Sequence, residues 1–518
     1  MLKDLYVMKI DAKQELDNIN SAEDIETFKK SILIPDNINI DYLLNGEKYY
    51  LTGSKGTGKT ALLIYTALKA EELFNAERSF MVFKEISQEE RDEYKKIAHV
   101  TEYDQNNIEP YYDYESVWKW LIHKNIAESI MNSDKIIFKI NDILECYTDT
   151  IAAIKTTSSR SHMPLMGKDG FVELDIGFAK ILSIKGRINF EFRKDSKTEV
   201  RFSSLVKELD SLFTQLDGDQ SQLYIIVDEL NLSMKNYVEY ERDVTMIRDL
   251  VIVVEDMNRL SKNSHDNLRI ICGIRNEVVN SIQAKGKEIN KAIESYGIPI
   301  DWTIYTENTL ENPLIKVLIN YLRLSEDQTS SFFQKSDKQV YQDWVEEYMH
   351  HKQSLEIILS NTLYKPRHVV RLLNLSKILC PKHKKISEET MTAIRKEYSK
   401  QCWNEATEEL SVIYNTAQIA AIKNLFAGCD VIITREKLFQ RATDIWSADP
   451  ELKHILIGFD DLLRMLYTIG IIGNYRYAEK AYFRWYCRGD EALILRQDLY
   501  IHRIFWSVLS VVHRDRMY

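Results

Sequence analysis

The residues Gly53-Ser54-Lys55-Gly56-Thr57-Gly58-Lys59-Thr60 fill every fixed position of G-x-x-x-x-G-K-T. The chemistry this spacing serves is anion binding. Glycines lack a Cβ, so the backbone can wrap closely around phosphate oxygens. The amides that lead into a helix N-terminus, with its partial positive charge, then point inward. Lys59 would reach the β- and γ-phosphates of a nucleoside triphosphate, and the Thr60 hydroxyl would ligate Mg²⁺. Gly53 to Ala61 is therefore the expected nucleotide-binding set. A second candidate is Asp228-Glu229, which closes the apolar run Leu223-Tyr224-Ile225-Ile226-Val227. An apolar run without alternation suits a central parallel strand covered on both faces. Ligands bind at the carboxyl ends of such strands. Asp228 is expected to hold Mg²⁺ and Glu229 to polarise the attacking water as general base. A chance glycine turn and a purely structural Asp-Glu are the bland alternatives.

Elements of the right type flank these residues. Tyr49 to Thr52 is β-prone, Ala61 to Ala70 is a helix former, and Ser79 to Phe83 reads as the next strand. Asn37 to Leu44 is expected to form a short helix. Arg242 to Lys262 reads as a long helix, with Met246, Leu250, Val251, Val254, Met257 and Leu260 on its apolar side. Leu268 to Ile274 is another buried strand. Arg275 at its end is the candidate sensor of the γ-phosphate, with Asn276 second; a solvated surface arginine is the alternative. Pro299 to Tyr305 is expected to add a fifth strand.

Between about 85 and 220 the chain exceeds a minimal nucleotide-binding domain. Tyr114 to Ile122 shows helical spacing of apolar residues. Ile188, Phe190 and Phe192 alternate with polar residues, turn at Lys194 to Lys197, and return through Val200 and Phe202 as an expected hairpin. This insert is either a sensor or partner surface, or an embellishment over the sheet edge.

From about 310 the chain reads as helical. Pro366 pre-sets φ for a helix's first turn. Arg367 and Arg371 stand one turn apart, so one face can carry both guanidinium groups. Arg367 is the candidate lid arginine over the phosphates, against a solvated basic face. His368 is expected at the surface. Helices at about 405–427, 434–446 and 458–468, then a ribbon pairing Tyr475–Tyr477 with Tyr482–Tyr486, read as a winged helix. Its third helix would carry Asp460 and Asp461, which repel DNA phosphates. A protein-contacting role is favoured over DNA.

Composition sets the outer limits. The 518 residues fit about two to four domains. Gly and Pro total 25, which favours long helices and short loops. The net charge of −10 argues against bulk nucleic-acid coating, though not against a local basic patch. Six scattered cysteines without a C-x-x-C pair suggest buried, reduced thiols. The lone pair His350-His351 lacks ligand spacing for a metal. No apolar run approaches a membrane span, and the start of the chain becomes charged too soon for a signal peptide. A cytoplasmic protein is expected.

These residues carry a resemblance. The segments Leu51 to Thr60, Val227-Asp228-Glu229-Leu230, Arg248-Asp249-Leu250, Ile274 to Val278, Lys365-Pro366-Arg367 and Tyr467 to Gly473 occur in an order that resembles the bacterial FunZ-like P-loop ATPases, within the AAA/STAND and origin-recognition-like class. The resemblance implies an α/β P-loop NTPase with a parallel central sheet, then a helical lid and a C-terminal winged helix. The expected boundaries are a lead-in at 1–47, an ATPase domain at 48–308 with its insert, a lid at 309–402 and a winged helix at 403–518. It implies ATP with Mg²⁺, and catalysis by Lys59, Glu229, Arg275 and Arg367 with the metal at Thr60 and Asp228. STAND-like relatives are switches that assemble with ATP and a trigger, and many are associated with phage defence. The expected partners are further copies of the chain or a separate effector. The chain departs from STAND proteins in lacking a long C-terminal repeat sensor and a fused effector. No trans-acting arginine is assigned: Arg242 and Arg248 are candidates on an expected exposed helix face, and a solvated face is the favoured reading of each. The rival expectation is a DNA-handling, origin-recognition-like or mobility-helper ATPase.

Overall fold

The computed structural model describes all residues except 17–20, 101–110, 155–166, 169–170, 175–198, 234–236, 284–288, 304–305, 307, 327–334, 412, 479–480 and 513–518. The chain divides into two compact units. A sheet unit comprises 37–55 and 59–300. A helical unit comprises 1–36, 56–58 and 301–518.

Five parallel strands organise the sheet unit: β1 (Tyr50–Gly53), β2 (Glu77–Val82), β3 (Leu223–Asp228), β4 (Leu268–Arg275) and β5 (Gly297–Pro299). Their spatial order is β5-β1-β4-β3-β2. Every residue of β3 is buried, as are the first seven of β4, which explains the apolar runs Leu223 to Val227 and Ile270 to Ile274; Arg269 is the buried exception in β4. Helix α1 (Lys59–Phe74) follows β1. Helix α2 (Tyr114–Asn132) starts at Asp113, whose carboxylate accepts from Ser116 N at 3.0 Å. Helix α3 (Tyr237–Ser264) is longer than expected at both ends. Asn258 on α3 donates to Ile270 O and accepts from Ile270 N, both at 2.9 Å. One buried amide thus satisfies both backbone groups of a β4 residue, which fixes the helix against the sheet. Tyr50 OH donates to Val251 O and Trp118 Nε1 to Met246 O, so these two large side chains of the core are also satisfied.

Several expectations are corrected. The fifth strand is short, Gly297–Pro299, and does not extend through Trp302. Residues 188–197 of the expected hairpin lie outside the described residues. Val200 pairs with Val172, and Phe202 opens the helix Phe202–Thr214 instead of continuing a strand.

In the helical unit, Asn312 caps helix Pro313–Leu324. Helix α4 (Pro366–Leu379) starts on Pro366, and α5 (Glu388–Leu410) follows. The expected boundary at 402/403 falls inside α5. The expected helix at 405–427 is two: α5 ends at Leu410 and α6 (Thr416–Leu425) starts anew, capped by Asn415. Then come α7 (Arg435–Trp446), Pro450–Ile457 and α8 (Phe459–Ile469), which ends on Gly470 at φ +90°. A four-stranded antiparallel sheet joins β6 (Ile432–Ile433), β7 (Ile472–Tyr477), β8 (Ala481–Arg484) and β9 (Asp498–Ile501) in the order β6-β9-β7-β8. The N-terminal residues belong here because Leu2 N donates to His383 O and Lys377 Nζ to Leu5 O. Among the described residues no helix is long and apolar enough to cross a membrane.

Candidate functional site

The loop between β1 and α1 turns through Gly56 at φ +83° and Gly58 at φ +91°. Both angles lie in the left-handed region that disfavours any residue with a Cβ. No neighbour crowds Gly58, so conformation alone selects glycine there. Lys59 is buried and folds back over the loop, donating to Gly53 O at 2.8 Å and Ser54 O at 3.0 Å. Its ammonium thus sits against the backbone at the start of the loop.

Asp228, at the end of β3, meets the first turn of α1. The Thr60 hydroxyl donates to Asp228 Oδ2 at 2.6 Å, across 168 positions of sequence. Burial raises the Asp228 pKa, opposed by the bonds from Thr60 and from the Glu229 backbone. A buried carboxylate beside a hydroxyl is a hard-oxygen donor pair, the chemistry that suits Mg²⁺ when water and phosphate oxygens complete the shell. Asp228 fits there because of Gly273 on neighbouring β4. A Cβ at Gly273 would lie 2.8 Å from Asp228 Oδ1 and 2.9 Å from Leu63 Cδ1.

Glu229 follows at φ +55°, in left-handed backbone and half-buried. Such a conformation costs a non-glycine residue about 1–3 kcal/mol. Arg275 ends β4 in register with Gly53, so it stands beside the start of the loop. Its guanidinium is 3.7 Å from Glu277 and partly exposed. Asn276 is exposed. The sheet unit therefore brings together Gly53, Lys59, Thr60, Asp228 and Arg275.

Arg242 does not lie on an exposed face. It is buried, bonds to Asp92 and Gln88, and donates to Asp243 Oδ1 from Nε and Nη2, both at 3.1 Å. Arg248 is partly buried and lies 2.8 Å from Asp249. The fully buried Asp243 also takes Arg91 Nη1 at 2.7 Å and Ser233 N at 2.8 Å. Arg91 in turn donates to Phe83 O and Ile86 O. This network ties the chain after β2 to the chain after Glu229, and nothing in the local sequence pattern marks it.

In the helical unit, Trp302 Nε1 donates to Thr57 O at 3.0 Å and Arg367 N to Gly56 O at 3.4 Å. Arg367 and Arg371 do share a face of α4, and both turn to Glu405 of α5. Arg371 Nη2 is 2.7 Å from Oε2 and Arg367 Nη1 is 3.1 Å from Oε1. His368 is the correction here. It is 2% exposed, and its Nδ1 lies 3.2 Å from Tyr398 OH. Burial pushes its pKa well below the ordinary value, with Arg371 adding to the effect, so it is neutral at pH 7. His350 pairs with Glu388 at 2.8 Å.

Residues 318–406 match the family model described as the FunZ-associated C-terminal helical domain. That domain thus covers α4 and α5 as far as Ala406, and it includes Arg367 and Glu405. No curated protein matches the chain.

Proposed function

We propose that this chain is an ATP-binding and ATP-hydrolysing switch of the P-loop, AAA/STAND-like class. The observation that carries the proposal is the 2.6 Å bond between Thr60 and Asp228. It joins the loop's last fixed position to the one acidic strand end in the parallel sheet. The strand order β5-β1-β4-β3-β2, with β4 between the loop strand and the acidic strand, supports the same class. So does the FunZ-associated domain. In this reading Gly53 to Ala61 cradle the phosphates, and Lys59 and Arg275 meet the γ-phosphate. Glu229 orients and deprotonates the attacking water, and Arg367 is the lid arginine. Mg²⁺, held by Thr60 and Asp228, would neutralise charge on the phosphate oxygens. ATP shifts the population toward the state that binds a partner or further copies, and so controls an effector. The family resemblance extends the proposal to a cytoplasmic role in bacterial defence against phage.

The test is nucleotide hydrolysis together with mass in solution. Wild type hydrolyses ATP slowly, Lys59→Ala does not bind it, and Glu229→Gln binds without turnover and assembles with ATP but not ADP. Wild-type turnover in Glu229→Gln would refute the assignment of the base.

A second reading, a DNA-handling ATPase with a C-terminal winged helix, draws on β7 and β8. The ribbon pairs Tyr475, Arg476 and Tyr477 with Phe483, Tyr482 and Ala481, and exposes Arg476, Tyr477 and Tyr482 near its turn. Helix α8 opposes it, since Asp460 and Asp461 lie in its first turn. DNA binding that weakens with salt and stimulates hydrolysis would favour this reading.

A further inference from the structure

Glu405 is a buried carboxylate with two unlike partners. Arg371, 4% exposed, holds Oε2 at 2.7 Å and has Cys402 Sγ at 3.5 Å on its other nitrogen. Arg367, its side chain 28% exposed, holds Oε1 at 3.1 Å. One arginine is enclosed and the other faces outward. Burial alone would raise the Glu405 pKa. The carboxyl nonetheless has its pKa lowered, by the neighbouring His368 first and then by the charges of Arg371, Arg367 and Lys365. Around it stand three cations, and the second acid, Glu409, is 4.0 Å from Lys365.

The cluster touches the loop's glycine. A Cβ on Gly56 would lie 3.3 Å from Glu405 Oε1, and 3.5 Å from both Arg367 Cβ and Lys365 Cδ. The oxygen that Arg367 holds is thus the one that faces the backbone of Gly56. A phosphate drawn to that backbone competes with Glu405 for the guanidinium. The exchange leaves no charge stranded, because Arg371 stays with the carboxylate.

We propose that Glu405 is a positioning residue that acts through Arg367. It holds the guanidinium as an internal counter-anion, releases it to the γ-phosphate, and thereby weakens ATP binding relative to ADP. The proposal rests on the ATP-switch reading above. It places a nucleotide-discriminating device inside the FunZ-associated domain, on a residue that carries no motif.

The test uses the full chain with Mg²⁺ and fluorescent N-methylanthraniloyl-ATP and -ADP. Glu405→Gln binds the ATP probe about five- to tenfold more tightly, the scale of one partly exposed ion pair, and the ADP probe within about twofold of wild type. Glu405→Asp keeps an anion beside Arg371 but withdraws it from Arg367, so it too gains affinity while sparing the fold. In an Arg367→Gln background neither change tightens binding, which a merely structural role for Glu405 would not produce. Wild-type affinity in both Glu405 variants, or a gain that survives Arg367→Gln, overturns the proposal and leaves the ATP reading intact. Absence of Lys59-dependent ATP binding in wild type overturns both.

Discussion

Replacing Gly273 with alanine would put a methyl carbon 2.8 Å from Asp228 Oδ1 and 2.9 Å from Leu63 Cδ1. Ordinary contacts start about 0.6 Å further out. Leu63 is fully buried in α1 and cannot retreat, so the Asp228 carboxylate takes the displacement. A shift of about 0.6 Å stretches the 2.6 Å Thr60 bond beyond good geometry and moves the metal-binding oxygens. Misplacement on the scale of 1 Å costs on the order of 10²-fold in rate, so Gly273→Ala is expected to lose between about ten- and a hundredfold in kcat. The Mg²⁺ concentration for half-maximal rate should rise with it. Overpacking also costs about 1–3 kcal/mol of stability, so the assay needs a control that separates the two effects. Ile271→Val, in the same buried strand, loses about 1 kcal/mol without approaching Asp228. The measurements are steady-state hydrolysis across a Mg²⁺ series and urea unfolding of each variant. Wild-type kcat and Mg²⁺ dependence in Gly273→Ala would refute the argument that Gly273 makes room for Asp228.

Asp243→Ala removes a fully buried carboxylate from Arg91 and Arg242 and is expected to cost about 3–5 kcal/mol by urea denaturation, since Arg91 stays buried without its ion-pair partner and Arg242 keeps only Asp92. Buried His502 has its pKa pushed down to about 3 by burial, with Arg503 and Arg488 contributing, so the folded state prefers it neutral. Its contribution is complete above pH 6.5 and declines by about 1.4 kcal/mol per unit as pH falls from 6.5 toward 3. His502→Gln should flatten the fall in the denaturation midpoint between pH 7 and pH 5, leaving the parts owed to His265, whose pKa burial lowers to about 4, and to His368 and His123, which burial also lowers. Gly58→Ala, forced to φ +91°, should weaken ATP binding although no neighbour obstructs the methyl, as a nucleotide titration would report.

The amino-acid sequence by itself determined what is local. Lys59 and Thr60 were legible because a phosphate-binding loop needs glycines, lysine and hydroxyl at fixed spacing within one turn of chain. β3 and β4 were legible because strands buried on both faces are mostly apolar, with Arg269 the buried exception in β4. Helix α5 was only partly legible, because Leu410 and Thr416 flank a break that helical periodicity does not register. What tertiary structure decided is which polar side chains turn inward. Arg242, His368 and Glu405 sit on helices rich in charge, where periodicity marks the apolar stripe but not the ion that is buried beside it. Each is buried because a partner distant in sequence neutralises or hydrogen-bonds it: Asp92 for Arg242, Tyr398 for His368, and Arg367 with Arg371 for Glu405. Gly273 belongs with them, since its lack of a side chain has meaning only once β4 lies beside β3 and α1 covers both. Burial of charge is a property of pairs, and pairs across a fold are not written in any one stretch of chain.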